Sequence, residues 1–154
     1  EKILVTSAIV DDAALISELA TRFGSQSVVA GMEFTSVTGS PTRCAHGGSR
    51  LIHGSFDQMV GEIEARGAGE ILLIDVDNDG RRSGLNLDFY ASIASLSKTP
   101  VIGMGGVGNF SHLVEGFEIS SLDAIACGTL FTFGDNNPIR ARSYLKNQGI
   151  RVRN

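Results

Sequence analysis

The chain has 154 residues, 42% of them hydrophobic and 19% charged, with a net charge of -4 and a pI near 5.3. That length suits one domain over residues 1–154 and is too short for a complete (β/α)8 barrel, which needs about 250 residues. The ordinary apolar fraction excludes disorder, and the acidic balance argues against a nucleic-acid or anionic-membrane surface. No apolar run approaches the roughly 20 residues of a membrane span, and the opening residues do not read as a signal-peptide pattern. Cys44 and Cys127 make neither a disulfide framework nor a CxxC pair, so a reducing, cytoplasmic setting is expected.

Lys2 to Thr6 reads as a short strand. Asp11 and Asp12 suit a helix entrance, where free N–H groups favour carboxylates, and Leu15, Ile16, Leu19, Ala20 and Phe23 give that helix one apolar face. Gly24 ends it, and Ser27 to Met32 is the next apolar strand. Glu33 to His53 mixes Thr, Ser, Gly and Pro with short β-like pieces, which predicts a hairpin or a long loop. Ser55-Phe56-Asp57-Gln58 matches a capping box, and a second helix runs from there to Gly67.

Glu70 to Asp75 is continuously apolar in its middle, as a strand buried in a parallel sheet requires. A polar loop over 76–86 precedes a third helix, Leu87 to Leu96. Pro100 to Met104 is a fourth strand, followed by Gly105-Gly106-Val107-Gly108 and a helix carrying Phe110, Leu113, Val114 and Phe117. Asp123 to Cys127 is a fifth strand, and Pro138 suits the first turn of a last helix that fades near Gly149. Five βα units in succession predict an α/β fold with a parallel sheet.

In such folds ligands bind beyond the carboxyl ends of the strands. Those ends carry Thr6-Ser7, Glu33, the run from Asp75 to Gly80, Met104-Gly105-Gly106 and Gly128-Thr129. Gly-bearing turns there let an anion approach backbone N–H groups, and Gly105-Gly106 beside Gly128-Thr129 points to a phosphate site more than to tight turns alone. Gly103 to Gly108 also fits the dinucleotide fingerprint, but the required acid should end the next strand, and Asp123 begins it. Glu33, closing an apolar strand, reads equally as an acid–base group in the mouth of the sheet or as a solvated loop-start residue. Asp75, Asp77 and Asp79 lack the Glu that a calcium loop needs, since Asn86 occupies its place, and His46, His53 and His112 have no ligand spacing. No metal or cofactor is expected.

Phe23-Gly24-Ser25-Gln26, the stretch Arg66 to Leu73, Asp77-Asn78-Asp79-Gly80 with Ser83-Gly84, Gly105-Gly106, and the closing segments Phe131 to Gly134, Tyr144 to Lys146 and Val152-Arg153 resemble the cyclase subunit of imidazole glycerol phosphate synthase. That family is a (β/α)8 barrel that takes ammonia from a glutaminase and cyclises a doubly phosphorylated ribulosyl nucleotide. The likeness covers its strands four to eight, so it implies five βα units of a TIM-type barrel, a half-barrel. A flavodoxin-like open five-stranded sheet is the alternative.

The resemblance further implies phosphate binding by Asp79, Gly80, Gly105, Gly106, Gly128 and Thr129, and by a second turn of Thr6, Ser7 and Ala8, where the family usually has Asn in place of Thr6. It implies an ammonia gate at Lys2 and Glu70, and a catalytic role for Glu33, which stands where the family has Asp. The partner carboxylate of the first strand is absent, and Ile74 and Met104 replace small polar residues of the mouth. Glu is one methylene longer than Asp, and a shift of about 1 Å in a catalytic group can cost a hundredfold in rate. Gly134 to Arg140 is similar to paralogues linked to surface-polysaccharide sugar amidation, which implies ammonia delivery to another enzyme.

Five strands cannot close an eight-stranded barrel. The exposed inner face then calls for a second copy of the chain or the missing N-terminal half-barrel, unless the sheet flattens. Glu1 in place of an initiator Met suggests a longer natural chain. Two functions follow as expectations: a cyclase-type lyase once the barrel is complete, with phosphorylated ligand and a glutaminase subunit as partners, or an inactive, self-associating phosphate-binding half-barrel.

Overall fold

The computed structural model describes residues 1–152, so Arg153 of the closing segment lies outside the described residues. β1 (Ile3–Val5) is followed by a single turn, α1 (Ala8–Asp11), and by α2 (Ala14–Phe23). The one-turn helix was not legible in the sequence. The Asp12 carboxylate accepts the Ala14 N–H at 3.0 Å, so the acid does serve the entrance of α2. Gly24, at φ +83°, ends that helix as expected.

β2 (Val28–Thr35) runs three residues further than its sequence pattern indicates, so Glu33 lies inside the strand and does not close it. The extension has a tertiary cause. β1 pairs with β2 only from Ile3↔Val28 to Val5↔Ala30, which leaves the upper part of that edge free. β3 (Thr42–Ala45) takes it up in antiparallel register, Glu33↔Cys44 to Thr35↔Thr42, and β4 (Arg50–Leu51) pairs with β3. The segment between Glu33 and His53 is therefore a small antiparallel extension of the sheet.

α3 (Phe56–Ala65) is capped by Ser55, whose hydroxyl accepts the Gln58 N–H at 3.1 Å. The capping box is only half made, because the Gln58 amide reaches forward to Glu62 at 3.0 Å. β5 (Glu70–Asp75), α4 (Leu87–Leu96), β6 (Val101–Met104), α5 (Phe110–Glu118) and β7 (Ala124–Ala126) follow in the expected order. A short α6 (Thr129–Thr132) and α7 (Pro138–Asn147) complete the chain, the latter with Pro138 at its first turn and Asn137 as cap.

The parallel strands are ordered β1-β2-β5-β6-β7, each beside its predecessor, and the sheet is not closed. A flavodoxin-like sheet reverses its strand order at a switch point, and none occurs here. Right-handed crossovers between successive neighbours deliver their helices to one face, as in a barrel wall. The core reflects this: Val28, Ala30, Met32 and Phe34 of β2 and Ile71 and Leu73 of β5 pack with Ile16, Ile63, Tyr90 and Ile93 of the helices. Phe34 meets Phe89 and Tyr90 at centroid distances of 4.6 and 5.9 Å, and Phe56 meets Phe89 at 4.8 Å. Each such pair adds about 0.5–1.5 kcal/mol beyond its buried area and ties β2 to α3 and α4.

The alternate residues, Leu4, Val29, Leu72, Ile102 and Met104, share the opposite face by register. Leu4 is 51% exposed there, and Val29 and Leu72 are buried without belonging to the helix-side core. This is the inner surface of a barrel wall, half-exposed at Leu4 and buried at Val29 and Leu72.

Candidate functional site

All five parallel strands end at the same side, so their following turns share one rim. The structure divides the expected site residues into two groups on it. The first surrounds the ends of β1 and β2. Thr6, Ser7, Glu33, Arg43 and Cys44 line one small cavity, with Met59 of α3 at its base. Glu33 is half-buried and has both carboxylate oxygens engaged. Oε1 accepts the Ser7 hydroxyl at 2.8 Å, and Oε2 accepts the Gly47 N–H at 2.7 Å. The Ser7 oxygen in turn accepts the His46 N–H at 2.7 Å. Ala8, expected with Thr6 and Ser7, is exposed at the start of α1 and takes no part in this cavity.

Two features of this group lay outside sequence reasoning. Cys44 is the register partner of Glu33, and burial, reinforced by the charges of Glu33, Asp77 and Asp75, pushes its thiol up to about 11. Arg43 projects toward α3, where one guanidinium nitrogen approaches Met59 Sδ at 2.6 Å, and its buried Nε has no partner among the described residues. Desolvation lowers the pKa of that guanidinium. Pairing across β2 and β3 has no local signature, so neither residue announced itself.

The second group sits at the ends of β5, β6 and β7. One cleft gathers Asp79, Gly80, Gly105, Gly106, Gly128 and Thr129, together with Val107, Ala126 and Cys127. The glycines at 105 and 106 have definite reasons. Gly105 has φ +117°, and a Cβ there would lie 2.7 Å from the Asp75 carbonyl oxygen. Gly106 has φ +90°, and its Cβ would lie 2.1 Å from the Gly84 carbonyl oxygen. The two turns are therefore in backbone contact, which the 2.8 Å bond from Gly84 N–H to the Gly106 carbonyl completes.

Loop 76–86 is held in place by its own polar side chains. Asn78 donates to the Gly84 carbonyl at 2.6 Å and accepts from the Ser83 hydroxyl. Asp77 Oδ2 accepts the Thr35 hydroxyl at 2.7 Å and the Ser36 N–H at 2.6 Å, and these bonds hold its carboxyl below the usual carboxylate range. Asp75 is 4% exposed, and its Oδ1 accepts the Asn78 N–H at 3.2 Å. Burial dominates there and pushes its carboxyl up. Beneath the cleft, the buried Tyr90 donates to the Met104 carbonyl at 2.5 Å. Asn78 is braced within its own loop by Ser83 and Gly84, whereas the partners of Asp77, Thr35 and Ser36, lie too far along the chain to be read from it.

Lys2 and Glu70 form an ion pair at 2.7 Å at the opposite ends of β1 and β5, and Lys2 also donates to the Gln26 carbonyl at 3.3 Å. Among the described residues no cluster of three or more His, Cys, Asp or Glu is placed to hold a metal. None of their helices is long and apolar enough to cross a membrane.

A sequentially ordered parallel sheet with backbone-lined turns at its carboxyl rim defines a (β/α)-barrel-type wall. More particularly, the chain belongs to the histidine biosynthesis protein family, whose pattern matches residues 1–137. It is 35% identical over 153 residues to the imidazole glycerol phosphate synthase subunit HisF of Chlorobium phaeobacteroides, and 36% identical over 153 residues to that of Chlorobaculum parvum. The alignments cover 99% of this chain and 61% of each relative, so the chain spans about three-fifths of their length.

Proposed function

We propose that the chain supplies the phosphate-binding wall of an imidazole glycerol phosphate synthase-type cyclase. The observation that carries this reading is the convergence of Asp79, Gly80, Gly105, Gly106, Gly128 and Thr129, from three separate strand-to-helix turns, on one cleft. Backbone N–H groups and the Thr129 hydroxyl there suit a phosphate ester, and the space beside Gly80 and Gly128, where a Cβ would meet nothing within 4 Å, leaves the backbone approachable. In this reading Glu33 is the acid–base group, and turnover requires the remaining strands with their own carboxylate. Thr6, Ser7 and Ala8 would hold the other phosphate of a bisphosphorylated ribulosyl nucleotide.

A glutaminase partner is the source of ammonia in this scheme. Its support comes from the Lys2–Glu70 pair and from Phe23, Leu96 and Ile119, which are 43%, 46% and 54% exposed near the C-terminal ends of α2, α4 and α5. Those helix ends lie toward the same end of the sheet as the pair, because each helix runs antiparallel to its strands. The sugar-amidation branch shares this ammonia route and differs in what receives the ammonia.

A ligand of the folded state raises its stability by about 2.7 kcal/mol at a hundred times Kd. Thermal unfolding in millimolar inorganic phosphate should therefore shift upward, and the shift should vanish in Gly106→Ala. An unchanged Tm in phosphate would overturn the reading. Glu33→Gln in a barrel reassembled with the first-half strands should abolish ammonia-dependent turnover, and undiminished turnover would remove Glu33 from the mechanism.

The unclosed sheet and the exposed Leu4 on its inner face favour a second reading, a self-associating module without activity of its own. Light scattering should then give about twice the 16.3 kDa chain mass over a tenfold range of concentration. A concentration-independent monomer would remove the second copy from the account.

A further inference from the structure

The antiparallel extension does more than lengthen the sheet. Its tip, 46–49, lies across the ends of three strands. His46 N–H bonds Ser7 after β1, Gly47 N–H bonds Glu33 of β2, and Gly48 approaches Val76 after β5 so closely that a Cβ on it would be 3.2 Å from Val76 Cγ2. His46, Gly47 and Gly48 all have positive φ, at 54°, 66° and 88°, so the tip turns in a conformation that only special residues adopt. The hairpin is then latched to α1 from outside. Arg50 Nη1 bonds Asp11 Oδ1 at 2.8 Å, and His46 Nε2 lies 3.5 Å from Asp11 Oδ2.

We propose that the β3–β4 hairpin is an autoinhibitory strap, closed over the β1–β2 end of the rim and withholding the Glu33 carboxylate from ligand until its tip is lifted. Three consequences of the geometry support this. Each Glu33 oxygen accepts one bond, from Ser7 or from Gly47, so the carboxylate is held against the hairpin tip and the turn after β1. Ser7, the hydroxyl nearest Glu33, is itself committed in both directions, donating to Glu33 and accepting from His46. The bonds that close the strap are few, and the latch pair is about half exposed, so opening is a local event that leaves the core intact. The cleft at β5–β7 lies outside the strap and shares no lining residue with the cavity beneath it.

The inference takes from the proposed function only that Glu33 is the reactive group, and its test does not depend on turnover. In this chain, backbone exchange at His46 and Gly47 and carbodiimide–amine labelling of Glu33 should both be slow, with the exposed Glu18 as internal reference. Asp11→Ala combined with Arg50→Ala should accelerate both by about tenfold while leaving Glu18 labelling unchanged, and Arg50→Lys should keep the strap closed. Exchange of Gly47 at the rate of an open loop in the parent chain would overturn the proposal. So would a double variant with unchanged exchange and labelling. If Glu33→Gln leaves turnover intact in a reassembled barrel, the acid–base assignment falls, while exchange still decides whether the hairpin covers the rim.

Discussion

The two ends of the carboxyl rim are built by different means. At β1–β2 the site is made of side chains: Ser7, Glu33 and Cys44, satisfied by one another and by the hairpin tip. At β5–β7 it is made of backbone, with glycines at 105 and 106 where any side chain would collide with a neighbouring turn. A side-chain site can be masked and unmasked by moving a loop. A backbone site depends on exact contact between turns and fails when that contact is broken. At the first end the covering element is the hairpin tip, whereas at the second the neighbouring turns themselves form the walls of the cleft.

Breaking the backbone contact should have the largest effect. Gly106→Ala places a methyl carbon within bonding-forbidden distance of the Gly84 carbonyl at a positive φ, so a loss on the order of 3 kcal/mol is expected. Chemical denaturation should record it, together with loss of the phosphate-dependent rise in Tm. A parent-like midpoint would show that the two turns are not in the contact described.

Breaking the side-chain end should do less. Glu33→Ala strands the Ser7 hydroxyl and the Gly47 N–H, a loss of about 2 kcal/mol, with solvent recovering part of it at the hairpin tip. Hydrogen exchange should then rise at His46 and Gly47 while β5 and β6 stay protected. Uniformly faster exchange throughout the sheet would contradict a local role.

The loop joining the two ends offers a test by pH, because two of its carboxyls have shifts of opposite sign. Burial raises Asp75 above its ordinary 3.8, so the folded state holds that proton more tightly than the unfolded state. Stability from this group is present below 3.8 and declines as pH rises from there through the raised value. Hydrogen bonds from Ser36 and Thr35 lower Asp77, so its contribution is present above 3.8 and is lost as pH falls through its depressed value. Asp75→Asn should flatten the first limb, Asp77→Asn the second, and a stability profile indifferent to both would show that neither carboxyl is in the environment described.

The smallest effect sharpens the comparison. Gly128 lines the same cleft, but its φ is -99° and a Cβ there meets nothing within 4 Å. Gly128→Ala should change stability by no more than about 0.5 kcal/mol. A large loss would mean that the packing requirement for glycine in the cleft extends beyond the pair at 105 and 106.

Most of the fold was legible in the sequence, for reasons local to each element. A continuous apolar run marked β5, the Leu87–Leu96 and Pro138 starts marked helices to the residue, and the alternation of strands and helices predicted a parallel sheet. The strand-end rule also named the cleft residues before their convergence was visible, because parallel βα units must put those turns at one rim. Tertiary structure alone decided the rest. Glu33 lies within β2 because β3 pairs along an edge that β1 leaves vacant, and such pairing depends on residues far apart in the chain. The same pairing brought the hairpin tip onto Ser7 and Glu33, and it placed Cys44 against a carboxylate. Local propensity fixes where strands and helices form, whereas hydrogen-bond register across the sheet decides which of their side chains are free to act.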